Sequence, residues 1–188
     1  AYTPVQGDKL PPGLFDVNQF KKGNEITYFN GVSINANDNL KFERNQDIWQ
    51  FNLRTKTWTY KGKAAFFFGN NPQNFQHGNY YYGFTEERRI IRINFQDETY
   101  EMYANEAVSS KISTQFKPIV ENDRIYFFAN NHASSDIELV SISLLEFLGK
   151  AQEKHSFVEH NLWQTYSPFL GGLMLILLAG LGVYFWLK

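Results

Sequence analysis

The 188-residue chain has no cysteine and almost no net charge. Without a thiol, the chain has no disulfide framework, zinc ribbon, iron–sulfur cluster or cysteine nucleophile. Its 18 Lys and Arg residues balance 19 Asp and Glu residues, and the pI is near 6.5. Because nucleic-acid binders usually carry a basic patch or stripe, we expect no DNA or RNA partner for this segment.

Recognisable catalytic motifs are also missing. The sequence contains no HExxH pair, no GxSxG nucleophile elbow and no GxxxxGK[ST] phosphate loop. Its four histidines are scattered, and its carboxylates show none of the pairing that glycoside hydrolysis requires. We therefore predict a protein that is not an enzyme and holds neither a cofactor nor a metal ion.

Aromatic residues, by contrast, are abundant. They make up 18% of the chain, with 18 Phe and 11 Tyr. Rings of this kind pack well across neighbouring strands of a pleated sheet. The composition therefore favours an all-β body.

The C-terminal segment has a different character, because residues 168–187 are apolar throughout. At about 1.5 Å per residue, a helix of this length spans about 30 Å, the thickness of the hydrocarbon core of a bilayer. We predict a transmembrane helix over residues 164–188, preceded by a juxtamembrane linker over residues 151–163. The sequence thus predicts a single-pass membrane protein.

Aromatic and basic residues flank this segment in the way that membrane anchors do. Trp163 and Tyr166 precede the apolar residues 168–187, Tyr184 and Trp186 lie near their end, and Lys188 follows them. By the positive-inside rule, Lys188 faces the cytoplasm and residues 1–160 lie outside it. The start at Ala1 suits removal of a signal peptide, and the absence of N-x-[ST] sequons favours a bacterial envelope.

The body contains an internal repeat. Residues 47–58 (DIWQFNLRTKTW) recur 42 positions later as residues 89–100 (RIIRINFQDETY). The two segments match at the isoleucine, the asparagine, the threonine and the closing aromatic residue. A fainter third copy begins at Glu138 and loses the closing aromatic, where Gly149 falls. Such a period indicates a repeat architecture.

Each copy predicts a hairpin, because apolar and polar residues alternate on either side of a polar turn. A short aromatic strand precedes each copy, at residues 26–29, 80–82 and 125–128. Residues 64–68 and 112–119 are further candidate strands. About four strands per unit is the number found in a propeller blade.

An aromatic strand that ends in glycine, a variable loop and the segment DIWQFNLRTKTW together resemble the kelch repeat. The resemblance covers residues 24–148 and implies about three four-stranded antiparallel blades of a β-propeller. Residues 24–150 would then form the repeat domain, and residues 1–23 an extended arm or strands of a preceding blade. Kelch-like copper oxidases need a tyrosine–cysteine crosslink, which this chain cannot form.

Three blades cannot close a ring, since propellers have about four to eight. Two copies could complete a six-bladed ring, the chain could belong to a longer polypeptide, or the sheets could form an open stack that a partner covers. We expect a protein partner or self-association, because open aromatic sheets would expose a large apolar face.

Recognition usually resides in loops on a rigid scaffold. The longest predicted loop, residues 32–46, contains Asn35, Asn37, Asp38 and Arg44, whose amide, carboxylate and guanidinium groups suit a partner or glycan. Lower-ranking candidates are Asn71, His77, Asn131 and His132. The alternative for all of them is an ordinary solvated turn.

These observations predict a membrane-anchored extracytoplasmic recognition or sensor protein that binds a protein or another ligand. It could be the ectodomain and anchor of a longer signalling receptor. One alternative is a structural accessory subunit of a larger membrane complex. Another is a carbohydrate-active propeller enzyme.

Overall fold

The computed structural model describes residues 10–35, 38–69, 71–113, 115–130 and 136–159. Within these ranges the chain forms fifteen strands and two short helices. They are β1 (Leu14–Phe15), β2 (Asn18–Lys22), β3 (Glu25–Phe29), β4 (Gly31–Asn35), β5 (Asp38–Asn45), β6 (Asp47–Asn52), β7 (Thr57–Lys63), β8 (Phe75–His77), β9 (Tyr80–Phe84), β10 (Ile90–Asn94), β11 (Thr99–Tyr103), α1 (Glu106–Ser109), β12 (Ile119–Glu121), β13 (Arg124–Asn130), β14 (Ile137–Ser143), α2 (Leu144–Leu148) and β15 (Ala151–Ser156). The prediction of an all-β body is confirmed.

Four antiparallel sheets contain these strands. Sheet 1 has the order β2-β3-β6-β7, and sheet 2 the order β8-β9-β10-β11 with β15 added beside β11. Sheet 3 has the order β12-β13-β14. A separate small sheet has the order β1-β4-β5, and its β4–β5 hairpin lies between β3 and β6 in the chain, whereas β1 precedes β2. Sheets 1 and 2 thus each contain the four antiparallel strands per unit that the repeat predicts.

The internal repeat is confirmed as two equivalent hairpins, β6–β7 and β10–β11. In the first, the Asn52 side-chain oxygen accepts hydrogen bonds from the backbone N–H groups of residues 54 and 55. In the second, Asn94 does the same for residues 96 and 97. Lys56 and Glu98 then adopt positive φ angles of 57° and 52°. The matching asparagines therefore fix the same turn twice.

The predicted third hairpin is wrong in its second half. Strand β14 forms, but helix α2 replaces the strand that should follow it. The Ser143 hydroxyl accepts a hydrogen bond from the Glu146 N–H at 3.1 Å, an N-cap that starts the helix. Gly149, with φ of 71°, follows the helix. The chain then returns as β15 to pair with β11 of sheet 2.

Two further expectations about local structure are corrected. Residues 32–46 are mostly the β4–β5 hairpin rather than a loop, because the apolar side chains among the polar ones support strand pairing. Residues 64–68 and 112–119 are mostly not strand: Ala64 and Ile112 each form only an isolated bridge. Phe68 instead enters the core as a fully buried ring. The additional strand of each unit is instead its first strand. These first strands are β2, β8 and β12.

Sheet 2 lies in the middle of a stack, with both of its faces buried. One core cluster joins sheets 1 and 2, and the other joins sheets 2 and 3. Alternate residues of β10 divide between them, since Ile91 and Ile93 face sheet 1 while Ile90 faces sheet 3. Neither cluster joins sheet 3 to sheet 1, and the described residues show no closed ring of blades.

Residues 159–188 form a second unit, separate from the unit that ends at Val158. The predicted transmembrane helix and its flanking residues Trp163, Tyr166, Tyr184, Trp186 and Lys188 lie outside the described residues. Among the residues that are described, no helix has the length and apolar character needed to cross a membrane.

Candidate functional site

The predicted binding residues of the inserted hairpin have clear backbone positions. Asn35 and Asp38 are paired at the tip of the β4–β5 hairpin, and Asn37 lies outside the described residues. Arg44, on β5, contacts Glu86 with 2.6 Å between Nη2 and Oε1, and its guanidinium lies 4.9 Å from the centre of the Phe67 ring. Arg44 thus ties the hairpin to the loop between β9 and β10.

The remaining predicted residues lie elsewhere. The carbonyl oxygen of Asn71 accepts a hydrogen bond from the Asn74 N–H at 2.9 Å, in a turn before β8. His77 ends β8 opposite Tyr80 and is half-buried. Asn131 and His132 lie outside the described residues. Within the described part of the chain, no hydrogen bond or ion pair joins Arg44, Asn71 and His77 into one site.

A larger feature is the outer face of sheet 3, which points away from sheet 2. Its apolar residues are Ile119, Tyr126, Phe128, Ile137 and Leu139, and the strand register places Arg124, Asn130 and Ser141 on the same face. Ile119 is 66% exposed, Leu139 64% and Ile137 50%. Exposed apolar patches of this kind mark interaction surfaces.

The sequence contains a signal for this surface. The segment Ile125–Tyr–Phe–Phe128 is apolar at every position, as in strands that are covered on both faces. Ile125 and Phe127 are indeed buried against sheet 2, but Phe128 on the opposite face is 38% exposed, and the Phe116 ring lies 4.8 Å from its own. Strand β14 is also an edge strand, which can pair with another chain.

The other end of the stack carries aromatic side chains too. The outer face of sheet 1 consists of Tyr28, Trp49, Phe51, Trp58 and Tyr60, which are paired across β3, β6 and β7. Ring centroids lie 4.8 to 5.3 Å apart between neighbours. Trp49 is buried, whereas Tyr60 is exposed and the other three are half-buried. The stack is thus apolar at both ends.

A cleft of about 310 Å³ opens between the inner face of sheet 1 and the β10–β11 turn. We call this space the sheet 1 cleft. Its floor is apolar and its mouth is polar and charged. The floor residues are Phe20, Ile48, Phe95 and Val158, and the mouth residues are Lys22, Glu25, Gln50, Lys61, Gln96 and Glu98.

One ionic cluster lies at the end of the sheet 2 face that is turned toward sheet 3. Glu101 accepts hydrogen bonds from the Arg92 Nε at 3.1 Å and from the Tyr103 hydroxyl at 2.6 Å. Burial alone would raise the pKa of Glu101, but these hydrogen bonds and the charges of Arg92 and Lys154 outweigh it and lower the pKa. Burial and the bond to Glu101 raise the pKa of Tyr103. The cluster stabilises the β10–β11 pairing.

Replacing Glu101 by glutamine should destabilise the fold by about 1–2 kcal/mol at pH 7, since a charged hydrogen-bond acceptor is lost. The pKa of Glu101 is lowered in the folded state, so its stabilisation is present above pH 4.5 and is lost as the pH falls through the lowered value. Urea unfolding at pH 7 and pH 3 measures this difference.

Glu86→Gln is the matched control for that prediction. Glu86 also pairs with an arginine, but both partners are well exposed, so the expected loss is below about 1 kcal/mol. Equal effects of the two substitutions, or an effect of Glu101→Gln that does not change with pH, would contradict the assignment.

No protein-family model matches the chain, and no curated protein sequence is significantly similar to it. Among the described residues, no three His, Asp or Glu side chains come together as a potential metal site. The exposed faces of the sheets and the sheet 1 cleft are therefore the features that point to a function.

Proposed function

We propose that this chain is a non-enzymatic, membrane-anchored recognition protein that acts outside the cytoplasm as an assembly of two copies. The exposed outer face of sheet 3 carries the proposal, because a cluster of exposed apolar side chains of this kind is typical of a surface that another protein surface covers. The apolar segment 168–187 supports the membrane anchor.

The stacking within the chain indicates which surface covers this face. Sheet 1 packs on one face of sheet 2, and sheet 3 on the other, through aromatic and branched side chains. Sheet 1 itself ends in an outer face of Tyr28, Phe51, Trp58 and Tyr60. In our proposal, the outer face of sheet 3 of one copy packs on the outer face of sheet 1 of the other. Two such contacts give a ring of six kelch-like blades.

A charge in the proposed interface tests this arrangement. Leu139→Lys should weaken association at least about tenfold, since a lysine ammonium would be buried without a partner. The mass of the full chain in detergent micelles, measured by light scattering over a concentration series, gives the dimer dissociation constant. The wild type should be a dimer, and the variant should dissociate at higher concentration.

Leu145→Lys is the matched control, because Leu145 is 78% exposed but belongs to α2 rather than to the outer face of sheet 3. This variant should remain dimeric. A wild-type chain that is monomeric at every concentration, or equal dissociation of the two variants, would reject the proposal.

The exposed face of sheet 3 also favours a second candidate function, a structural accessory subunit of a larger membrane complex. In that case a different protein covers the face. The full chain purified from membranes would then carry this protein in fixed stoichiometry, and Leu139→Lys would release it.

A further inference from the structure

We infer that the sheet 1 cleft binds a small zwitterion with an apolar side chain, such as a free hydrophobic α-amino acid. This inference is independent of the proposed dimer, because the cleft lies on the inner face of sheet 1 and the proposed contact uses its outer face. Three features of the cleft carry the inference: its apolar floor, the mixed charges at its mouth and the bulge that places one of those charges.

The floor of the cleft would contact the apolar part of the ligand. Phe20, Ile48 and Val158 line the cleft although each is almost completely buried. The Phe95 ring adds a side wall, with its centroid 4.9 Å from that of Phe20. A volume of about 310 Å³ is at the small end of ligand pockets, so the cleft suits a ligand of amino-acid size.

The residues at the mouth of the cleft would bind the charged groups of the ligand. Lys22 donates one hydrogen bond from Nζ to Gln96 Oε1 at 2.9 Å, which leaves its other two N–H groups for a carboxylate. Glu25 accepts a hydrogen bond from Gln50 through Oε2 at 2.8 Å, which leaves Oε1 for an ammonium group. The glutamates at the mouth would repel a simple anion, and the lysines would repel a simple cation. The mouth therefore favours a ligand that carries both charges.

Lys61 is the second cation at the mouth, and the structure places it there by a β-bulge. The register of β6 against β7 shifts between Ile48 and Trp49, and Gly62 adopts a φ of 126°. Bulges re-aim side chains beside binding sites. In the described part of the chain, the Lys61 ammonium group has no hydrogen-bond or ion-pair partner. It is therefore available for the ligand carboxylate.

Calorimetric titration of the full chain in detergent micelles with L-phenylalanine tests the inference. We expect saturable binding at one site per chain. Phenethylamine lacks the carboxylate and 3-phenylpropionate lacks the ammonium group. Each analogue should bind at least about tenfold more weakly, which corresponds to the loss of one charge-assisted contact.

Variants of the chain separate this site from non-specific binding. Lys61→Gln should weaken L-phenylalanine binding at least about fivefold and leave phenethylamine binding unchanged, since only the carboxylate contact is lost. Lys21→Gln is the control, because Lys21 lies on the opposite face of β2 from Lys22 and does not line the cleft. Leu139→Lys should also bind normally, which separates this inference from the proposed dimer.

Three results would overturn the inference. They are the absence of saturable binding, equal affinities for L-phenylalanine and both analogues, and equal effects of Lys61→Gln and Lys21→Gln. Lys61 is exposed, so Lys61→Gln should keep the melting temperature of the wild type, and a loss of binding cannot be ascribed to unfolding.

Discussion

Replacing Gly83 by alanine is expected to lower the free energy of unfolding by about 3 kcal/mol, at the upper end of the usual cost of overpacking. Gly83 lies on β9, and a Cβ atom at this position would come within 2.5 Å of the Phe68 ring. Movement of the ring is restricted, because Phe68 is fully buried and packs against Phe29, Phe66 and Tyr81. Gly83, the residue before the last of β9, therefore allows the Phe68 ring to pack directly on the backbone.

Urea unfolding with matched variants measures this effect. Gly13→Ala is the control, since a Cβ there meets no atom within 4 Å, and it should change stability by less than about 0.5 kcal/mol. Phe68→Leu should partly relieve the clash, so the double variant with Gly83→Ala should be less destabilised than the sum of the two single variants. A Gly83→Ala variant as stable as Gly13→Ala would show that Phe68 does not pack on this backbone.

Replacing Asn18 by leucine should also have a large effect, about 3–5 kcal/mol, because several buried polar groups lose their partner together. The Asn18 side chain is fully buried and donates hydrogen bonds to the carbonyl oxygens of Asn30, at 3.1 Å, and Phe68, at 3.3 Å. It accepts hydrogen bonds from the Asn74 amide at 3.0 Å and the Tyr81 hydroxyl at 2.7 Å. Asn18 thus joins the first strand of sheet 1 to sheet 2.

Thermal and urea unfolding compare this variant with two others. Tyr81→Phe removes only one of the four hydrogen bonds and should cost about 1 kcal/mol. Burial raises the pKa of Tyr81, so its hydroxyl stays a neutral donor at physiological pH. Gln19→Leu, at the exposed neighbouring position, should have little effect. If Asn18→Leu cost no more than Tyr81→Phe, the network would not be the link between the sheets.

The parts of the fold that depend on local chemistry could be predicted from the sequence. The β6–β7 and β10–β11 hairpins follow from Asn52 and Asn94, because each asparagine makes its turn with residues two and three positions away. The aromatic strands β3, β9 and β13 were predicted for a similar reason, since their composition alone favours a sheet.

Features that depend on distant contacts could not be predicted in this way. The segment around Phe68 has strand composition, but its ring is drawn into the core by the open backbone at Gly83. The departure of the third unit from the repeat has a local cause instead, because Ser143 and Glu146 cap a helix where the first two units continue as a hairpin. Neither outcome is visible in the repeat pattern itself.

The candidate sites likewise depend on contacts between residues that are distant in sequence. Asparagine-rich segments were predicted as binding loops, and of these residues 32–46 form mostly a hairpin. The outer face of sheet 3 was missed because period-2 alternation shows that a strand has two faces but not which face a neighbour covers. The sheet 1 cleft joins Phe20, Ile48, Phe95 and Val158, which are far apart in sequence, so only the assembled sheets reveal it.

The most direct test of the proposed assembly is disulfide trapping between two copies, which is clean because the chain has no cysteine of its own. Full-length Leu139→Cys and Tyr60→Cys, carrying tags of different mass, would be mixed in detergent micelles and oxidised. We predict a disulfide between the Leu139→Cys and Tyr60→Cys chains, and little crosslinking of either variant alone. Crosslinks only between two Leu139→Cys chains, or none at all, would contradict the stacking of sheet 3 on sheet 1 of a second copy.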